Sequence, residues 1–225
     1  MTSAVADAQT VSQALAQGAD ALGTALPSGA LSQLSAYVAL LLKWNRVYNL
    51  TAIREPLRVV THHLLDSLAV LPVLQNALRA GQDVRLLDIG SGAGLPGLVL
   101  AIACPGWYVV MSESSRKKGA FIVQGAAELG VRNAEVAIGR VEDYRPAALF
   151  DIVIARAFAD LATFVRAASR YVAKSGVIVA MKGAYPRAEI EALPAAIRVL
   201  AVPRLDVPGL DAERHLVLMQ PEPQV

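Results

Sequence analysis

A run of glycines after an apolar segment is the part of this sequence best suited to bind a small ligand. It spans residues 86–97 and places Gly90, Gly92 and Gly94 at alternate positions. Glycine tolerates positive φ angles and has no side chain, so the backbone of such a turn can approach a ligand closely. The pattern predicts a strand, a cofactor-binding loop and then a helix that begins near Pro96.

Two acidic residues beside this loop bear on the cofactor in different ways. Asp88 lies two residues before Gly90, and Glu113 lies at the end of the next predicted strand. A dinucleotide loop holds a pyrophosphate at a helix N-terminus and gains nothing from a carboxylate there, whereas a carboxylate suits a ligand that carries an ammonium group. S-adenosylmethionine is such a ligand. Glu113 stands at the spacing of an acid that accepts the ribose hydroxyl groups of a nucleotide-type cofactor.

An NAD-dependent oxidoreductase remains an alternative interpretation. The segment from Gly92 to Gly97 matches the dinucleotide pattern G-x-G-x-x-G, although the match begins at the wrong glycine for the preceding strand. Glu113 would bind the ribose of NAD equally well. The choice between the two cofactors therefore depends on Asp88, which favours S-adenosylmethionine.

The tripeptide Arg156-Ala157-Phe158 follows the fourth predicted strand and lies at the predicted reaction face. Methyltransferases that act on exocyclic base amines usually carry an Asn/Asp-Pro-Pro-aromatic loop at this point, and this chain lacks one. Guanine N7 has an exposed lone pair and loses no proton before methyl transfer, so in-line positioning and charge can suffice for catalysis. We predict that Phe158 stacks on the base and that Arg156 binds phosphate, the cofactor or the base edge. A strand-end salt bridge is the alternative role for Arg156.

RNA is the predicted partner, although the formal net charge is only +2. Basic side chains occur in three groups, for which ordinary solvated surface charge is the alternative. The groups are Lys43, Arg46, Arg54 and Arg58; Arg116, Lys117 and Lys118; and Lys182 with Arg187. We select Arg116 and Lys182 as RNA contacts. His62 and His63 would face different directions on a helix and no acidic cluster completes a site, so we predict no metal and expect a capping or packing role for them. Asp66 and Ser67 could cap or hydrogen-bond the loop above the cofactor, with an ordinary helix interior as the alternative.

Alternation of β-rich and helical segments from residue 84 onward predicts a doubly wound, mostly parallel α/β sheet. The predicted strands are 84–89, 107–111, 134–138, 151–155, 176–181, 198–202 and 215–219, and the helices between them are 96–104, 115–129 and 159–173. The last two strands have no helix between them and are expected to finish the sheet antiparallel. Val141 and Glu142 follow the third strand, at the sheet edge where an adenine would bind.

The N-terminal part of the chain is predicted to be helical. Helices at 31–48 and 62–78 belong to a helical cap that consists of residues 30–80, and the Rossmann-like core follows at 81–225. Residues 30–225 are therefore expected to form one domain. Residues 1–29 are rich in Ala, Gln, Ser and Gly and predict a flexible or weakly helical extension.

The composition indicates the cellular location of the protein. The single Cys104 permits no internal disulfide, and the first basic residue is Lys43, so the basic region of a signal peptide is missing. No apolar run in the sequence reaches the roughly 18 residues that suggest a membrane span. These features predict a cytoplasmic protein without a membrane contact, which we expect to be a monomer.

Several of these motifs together resemble the bacterial 16S rRNA (guanine-N7) methyltransferase G family, also called glucose-inhibited division protein B. The similar segments, within residues 40–193, are 44–53, 63–68, 88–97, 140–142, 156–158 and 182–183. The resemblance implies a class I methyltransferase fold, S-adenosylmethionine as the cofactor and one guanine in the decoding-region loop of small-subunit rRNA as the target. It implies cofactor contacts at Gly90, Leu95, Val141 and Glu142, and it places Arg156 at the donor and substrate site.

Two features depart from that family. Glu113 stands where aspartate is common, a change that keeps the carboxylate, and the Ala-rich N-terminal extension is unusual. A non-catalytic RNA-binding or cell-division regulatory module that only holds the cofactor is the third interpretation of the sequence.

Overall fold

A seven-stranded sheet forms the centre of the computed structural model, which describes residues 2–77 and 83–222. Its strands are β1 (Arg85–Ile89), β2 (Tyr108–Glu113), β3 (Ala134–Ile138), β4 (Phe150–Arg156), β5 (Val172–Lys182), β6 (Ile197–Ala201) and β7 (His215–Pro221). They lie in the order β3-β2-β1-β4-β5-β7-β6. β7 pairs antiparallel with both β5 and β6, whereas the other neighbouring strands pair parallel. The prediction of a mostly parallel sheet with an antiparallel last strand is confirmed.

Helices precede the sheet and cover both of its faces. They are α1 (Thr2–Ala21), α2 (Ala30–Tyr48), α3 (Pro56–Val59), α4 (Asp66–Leu68), α5 (Leu71–Ala77), α6 (Gly97–Ala103), α7 (Arg116–Glu128), α8 (Leu161–Ala168) and α9 (Arg187–Glu191). A π-helical turn, Val60–Leu65, joins α3 to α4, and a 3-10 turn, Val141–Asp143, follows β3. The sequence pattern predicted neither α9 nor these two turns.

One error in the predicted elements concerns the boundary between α8 and β5. The predicted helix continues to residue 173, but β5 already begins at Val172. At Gly176 a Cβ would lie 2.8 Å from the Phe150 carbonyl oxygen, so β5 passes unusually close to β4 at a register irregularity. This close approach between distant segments is invisible to a helical period in the sequence.

Alternate residues of the central strands fill two separate apolar layers, as the two-residue period of a strand requires. One side of β1 and β4, including Leu86 and Ile152, packs against α2, α6 and α7. The opposite side, including Leu87 and Val153, packs against α8. Because both faces are covered, β1 is buried along almost its whole length.

Helical structure covers most of the first 29 residues, for which the sequence predicts a flexible or weakly helical extension. Residues 2–21 form α1, in which Val11, Leu15 and Ala19 are buried against the cap. A Cβ at Gly18 would lie 2.4 Å from a methyl carbon of Leu65, which shows how closely α1 approaches the π-helical turn. The spacing of small and apolar residues thus produces a packed helix. Residue 1 lies outside the described residues.

The second cap helix begins earlier than predicted. Its segments run from Pro56 to Ala77, and the predicted end at Leu78 and the predicted boundary between residues 80 and 81 lie outside the described residues. By length and composition alone, Pro56–Ala77 could cross a membrane, although 67% of its most apolar window is buried inside the protein. Arg58, His62, His63 and Asp66 interrupt this stretch, so it contains no continuous apolar run of about 18 residues, and packing in the cap accounts for its hydropathy.

Candidate active site

The glycine loop between β1 and α6 uses many of its own N–H groups to hold its shape. The N–H of Gly90 donates to the Ser112 carbonyl at 2.8 Å, and the N–H groups of Gly94 and Leu95 both donate to the Ser91 carbonyl at 2.8 Å. Gly94 and Leu95 are themselves buried. These two predicted cofactor contacts therefore form the back of the loop.

Gly90 and Gly92 form the open side of the same loop. Their φ angles are 72° and 59°, a conformation that favours glycine. A Cβ at either position would meet no heavy atom closer than 4.0 Å. The space beside these two glycines is the kind of cradle that a closely approaching ligand fills.

Asp88 holds the beginning of α6 from inside the protein. Its side chain is fully buried, and Oδ2 accepts the N–H of Gly97 at 2.9 Å. Burial raises the pKa of Asp88 to about 6, while the Gly97 N–H and the charge of Arg156 oppose that rise. Oδ1 is buried without a hydrogen-bond partner among residues 2–77 and 83–222.

This position of Asp88 bears on the choice between cofactors. A dinucleotide loop presents the helix N-terminus to a pyrophosphate. Here the Asp88 carboxylate already accepts the N–H of Gly97, the first residue of α6. The geometry therefore disfavours the NAD-dependent alternative.

Glu113 connects the glycine loop to the start of α7. Its Oε2 accepts the N–H of Gly92 at 2.8 Å, and its Oε1 accepts the N–H of Ser115 at 2.7 Å. Each carboxylate oxygen has two lone pairs, so both atoms can still accept a hydroxyl group. The glutamate thus fixes the open side of the loop and keeps the acceptors expected of a ribose-binding acid.

A cavity of about 300 Å³, here called the cofactor-side cavity, lies beside these groups at the carboxyl ends of the strands. Its lining residues are Ile89, Gly90, Ser112, Ser114, Gly139, Arg140, Val141, Glu142 and Phe158. The Tyr171 hydroxyl donates to the Val141 carbonyl and so supports the 3-10 turn from below. The open glycines, the nearby Glu113 carboxylate and the aromatic ring fit the adenosyl part of S-adenosylmethionine.

The turn after β4 sends Arg156 and Phe158 into different cavities. Ala157 lies between them with a φ of 57°, a left-handed conformation that is costly for a residue with a Cβ. Phe158 packs against Phe164 with a centroid distance of 5.2 Å and lines the cofactor-side cavity. Arg156 lines a second cavity, so the structure does not bring the two predicted catalytic residues together on one surface.

The second cavity, here called the cap-side cavity, has a volume of about 450 Å³. Its lining residues are Ile53, His62, His63, Asp66, Arg156, Ala157, Met181, Lys182, Gly183 and Arg214. These residues come from the cap, from the ends of β4 and β5, and from the residue before β7. Sequence reasoning gave no role in the site to Arg214 and treated Asp66 only as a cap or loop contact, because their pairing spans 148 positions.

His63 is a buried group at the cap wall of this cavity. Its Nε2 lies 2.7 Å from the Thr51 hydroxyl, and its Nδ1 lies 2.9 Å from the His62 carbonyl oxygen. The Asn45 amide in turn holds the Thr51 backbone through two hydrogen bonds of 2.9 Å. Burial and the charge of Arg156 lower the pKa of His63 to about 4, so its imidazole is neutral at neutral pH. The predicted packing role of His63 fits these contacts.

The two predicted RNA contacts have different surroundings. Arg116 is exposed at the start of α7, whereas Lys182 is half-buried and forms an ion pair of 2.7 Å with Glu189. The other basic groups lie mainly on exposed surface, in the cap at Lys43, Arg46, Arg54 and Arg58, and elsewhere at Lys117 and Arg187. Within residues 2–77 and 83–222, no group of three or more His, Cys, Asp or Glu side chains forms a candidate metal site.

The strand order with antiparallel β7, together with a glycine loop and strand-end acids beside a cavity, defines a Rossmann-like class I methyltransferase. The O-methyltransferase TomG from Streptomyces achromogenes, solved in complex with SAM, shares this fold with a TM-score of 0.55. It is 19% identical to this chain, and the match covers 83% of this chain and 90% of that one.

The family is narrower than this class. The family model GidB, rRNA small subunit methyltransferase G, matches residues 30–217, and the chain belongs to that family. A protein named ribosomal RNA small subunit methyltransferase G from Burkholderia thailandensis is 50% identical over 217 residues, which covers 95% of this chain and 93% of the relative. A relative of the same name from Burkholderia pseudomallei is 51% identical, with coverage of 95% and 92%. The resemblance predicted from the motifs is confirmed.

Proposed function

We propose that this chain transfers the methyl group of S-adenosylmethionine to N7 of one guanine in 16S rRNA. Membership of the rRNA small subunit methyltransferase G family makes it an S-adenosylmethionine-dependent methyltransferase of small-subunit rRNA.

The observation that carries the choice of N7 is the state of the acid and base groups around the cap-side cavity. Asp66 is paired with Arg156 and Arg214. His63 is neutral and has both ring nitrogens within hydrogen-bond distance of protein groups. A carboxylate and an imidazole committed in this way are poor general bases. Guanine N7 suits such a site because its lone pair needs no deprotonation before it attacks a methyl group.

The residues that would hold the cofactor surround the cofactor-side cavity. Gly90 and Gly92 leave space for close approach, and Glu113 offers carboxylate oxygens to the ribose hydroxyl groups. Val141, Glu142 and Phe158 line the side expected for the adenine. When bound, S-adenosylmethionine supplies an electrophilic methyl group on a sulfonium centre.

Three predicted cofactor contacts act from behind the loop. Gly94 and Leu95 keep its backbone in place. Asp88 Oδ1, which has no hydrogen-bond partner within residues 2–77 and 83–222, would accept the ammonium group of the cofactor, and Oδ2 keeps α6 fixed. Arg156 lies on the acceptor side, where its charge positions the RNA and takes no part in proton transfer.

The remaining parts of the proposal concern where the protein acts and in what form. We place the reaction in the cytoplasm, on 16S rRNA or the small ribosomal subunit, with the protein acting as a monomer and without a metal. Arg116 and Lys182 are proposed RNA contacts, and Lys182 acts from within its ion pair with Glu189.

A methyl-transfer assay tests the activity and the atom. The acceptors are purified 16S rRNA and small subunits from a strain that lacks this gene, and the donor is S-adenosylmethionine with a labelled methyl group. We expect label in at least one acceptor, and borohydride reduction followed by aniline should cleave the RNA at one guanine. RNA from the parent strain is the matched control. Absence of label from both acceptors would refute the activity, and label without cleavage would refute N7.

A further inference from the structure

Asp66 joins two arginines that are far apart in the sequence. Its side chain is 3% exposed, with Oδ1 2.7 Å from Nε of Arg214 and Oδ2 3.4 Å from Nη1 of Arg156. The arginine side chains are 23% and 22% exposed, so their guanidinium groups reach the cap-side cavity. Asp66 thus fixes two cations side by side at the wall of this cavity.

Each guanidinium keeps donors that the protein does not use. Arg214 gives Nη1 to the Glu213 carbonyl at 2.8 Å, and Arg156 gives Nη1 to Asp66 and to the cap. Among residues 2–77 and 83–222, Nη2 of Arg156 and Nη2 of Arg214 have no hydrogen-bond acceptor. A ligand with two or more acceptor oxygens would satisfy these donors.

The charge of the cavity favours an anion. Three cations line it, namely Arg156, Lys182 and Arg214, and their carboxylate partners are Asp66 and Glu189. One positive charge is therefore left without a partner within this cluster. A group with one negative charge would neutralise it.

A phosphodiester suits these arginines better than the target base does. The ordinary contact of arginine with guanine is bidentate to O6 and N7. In this reaction that contact would occupy the lone pair that must attack the methyl group. A phosphodiester oxygen pair matches the planar guanidinium geometry and leaves N7 free.

We infer that Arg156 and Arg214, positioned by Asp66, bind a phosphodiester of the RNA next to the methylated guanine. This inference rests on the proposed function, because it takes RNA as the substrate of the same site. Asp66 is a positioning residue, since it acts through the two arginines.

The first test replaces Arg214 by glutamine in the full chain. The probes are 16S rRNA and small subunits from the strain that lacks the gene. We expect the KM for the acceptor to rise roughly tenfold or more, the size of one lost charged contact, with kcat within about twofold. The slope of log K against log salt for RNA binding should fall by roughly 0.7, the value for one phosphate contact in single-stranded RNA. Arg204→Gln is the matched control, because the Arg204 side chain is 65% exposed and does not line this cavity.

The second test replaces Asp66 by asparagine. If Asp66 acted only through its charge, its removal would strengthen RNA binding. We expect the opposite, a rise in KM and a smaller salt slope, because the two guanidinium groups lose their common anchor. Asp66→Glu should restore part of the affinity. If Asp66→Asn does not fold, as judged by its unfolding transition, the Arg214→Gln result decides the matter alone.

The outcomes separate this inference from the proposed function. A parent chain that transfers no methyl group to either acceptor refutes the proposed function. A parent that methylates RNA, with Arg214→Gln equal to Arg204→Gln in KM and salt slope, refutes only the phosphodiester site. Tighter RNA binding by a folded Asp66→Asn would refute the positioning role of Asp66.

Discussion

The two cavities at the carboxyl edge of the sheet are built in different ways. The cofactor-side cavity consists of loops at the ends of β1 to β4, each held by nearby backbone groups. The cap-side cavity depends on charged side chains from four distant parts of the chain. Asp66 pairs with Arg156 and Arg214, and Lys182 pairs separately with Glu189. The cofactor-side cavity is thus formed by the ends of the sheet strands and their loops, whereas the cap-side cavity exists only when the cap and the sheet are assembled together.

Arg156→Gln should produce the largest effect and should separate the two cavities. Arg156 lines the acceptor side and shares Asp66, so we expect kcat/KM for RNA to fall roughly 100-fold to 1,000-fold, or about 3 to 4 kcal/mol. Affinity for S-adenosylhomocysteine, measured by calorimetry, should change less than about twofold. Unchanged methyl transfer would refute the proposed role of Arg156. A loss of cofactor affinity would show that Arg156 also contributes to cofactor binding.

His63→Gln should change the pH dependence of stability on the cap side. The pKa of His63 is lowered to about 4, so the unfolded chain binds a proton near pH 6.5 and the folded chain does not. The contribution of His63 to the free energy of unfolding is therefore fully present above pH 6.5. It decreases by about 3 kcal/mol as the pH drops towards 4. Urea unfolding of the parent and the variant between pH 7 and pH 4.5 should show a smaller acid loss in the variant. Parallel curves would contradict the neutral, buried imidazole.

Asp88→Asn should change the same measurement in the opposite direction. The pKa of Asp88 is raised from 3.8 to about 6, so the folded chain retains a proton that the unfolded chain has lost. Above pH 6, Asp88 therefore lowers the free energy of unfolding of the parent by about 3 kcal/mol. This destabilisation disappears as the pH falls through 6 towards 3.8. The difference in unfolding free energy between variant and parent should move in favour of the variant as the pH rises from 4 to 7. A difference independent of pH would show that Asp88 keeps an ordinary pKa.

Glu113→Gln should affect the cofactor-side cavity alone. The amide keeps one acceptor oxygen but loses the negative charge that would bind the ribose hydroxyl groups and that holds the Gly92 N–H. We expect S-adenosylhomocysteine to bind roughly 30-fold more weakly, or about 2 kcal/mol. The KM for RNA at saturating cofactor should stay within about twofold of the parent. Glu191→Gln is the matched control, since Glu191 is exposed and does not line this cavity.

Thermal stabilisation also distinguishes the two sequence-level alternatives. S-adenosylhomocysteine should raise the melting temperature of the parent and raise it less in Glu113→Gln. NAD should leave both melting temperatures unchanged, because the Asp88 carboxylate occupies the start of α6. Stabilisation by NAD alone would reverse this assignment.

Much of the donor side could be predicted from local sequence. Gly90, Glu113 and Val141 each follow a strand whose apolar pattern is clear, and the carboxyl ends of parallel strands meet at one edge. Which of these side chains face the cavity and which lie behind the loop could not be predicted. Asp88, Gly94 and Leu95 belong to the loop motif but lie behind it, and the left-handed Ala157 separates Phe158 from Arg156.

The acceptor side was less accessible to sequence reasoning. Asp66 was noted as a residue that could cap or hydrogen-bond the loop above the cofactor, whereas it pairs with arginines at positions 156 and 214. Ion pairs of this kind depend on tertiary packing and leave no spacing in the sequence. The packing of the N-terminal helix against the cap was not predicted for a related reason, because the sequence shows only a weak apolar stripe and the close fit of Gly18 against Leu65 depends on tertiary structure.

The glycines of the loop divide into two kinds, with different consequences for inherited variation. Gly90 and Gly92 border open space, whereas a Cβ at Gly97 would lie 2.6 Å from Met111 and 2.8 Å from Asp88 Oδ2. A larger residue at Gly97 must disturb the buried core, so cells carrying it would contain little of the protein. A larger residue at Gly90 strains only the turn and fills the cradle, so cells would accumulate a full-length but inactive protein. Mutations a few codons apart in one motif would thus share a phenotype while differing in protein abundance.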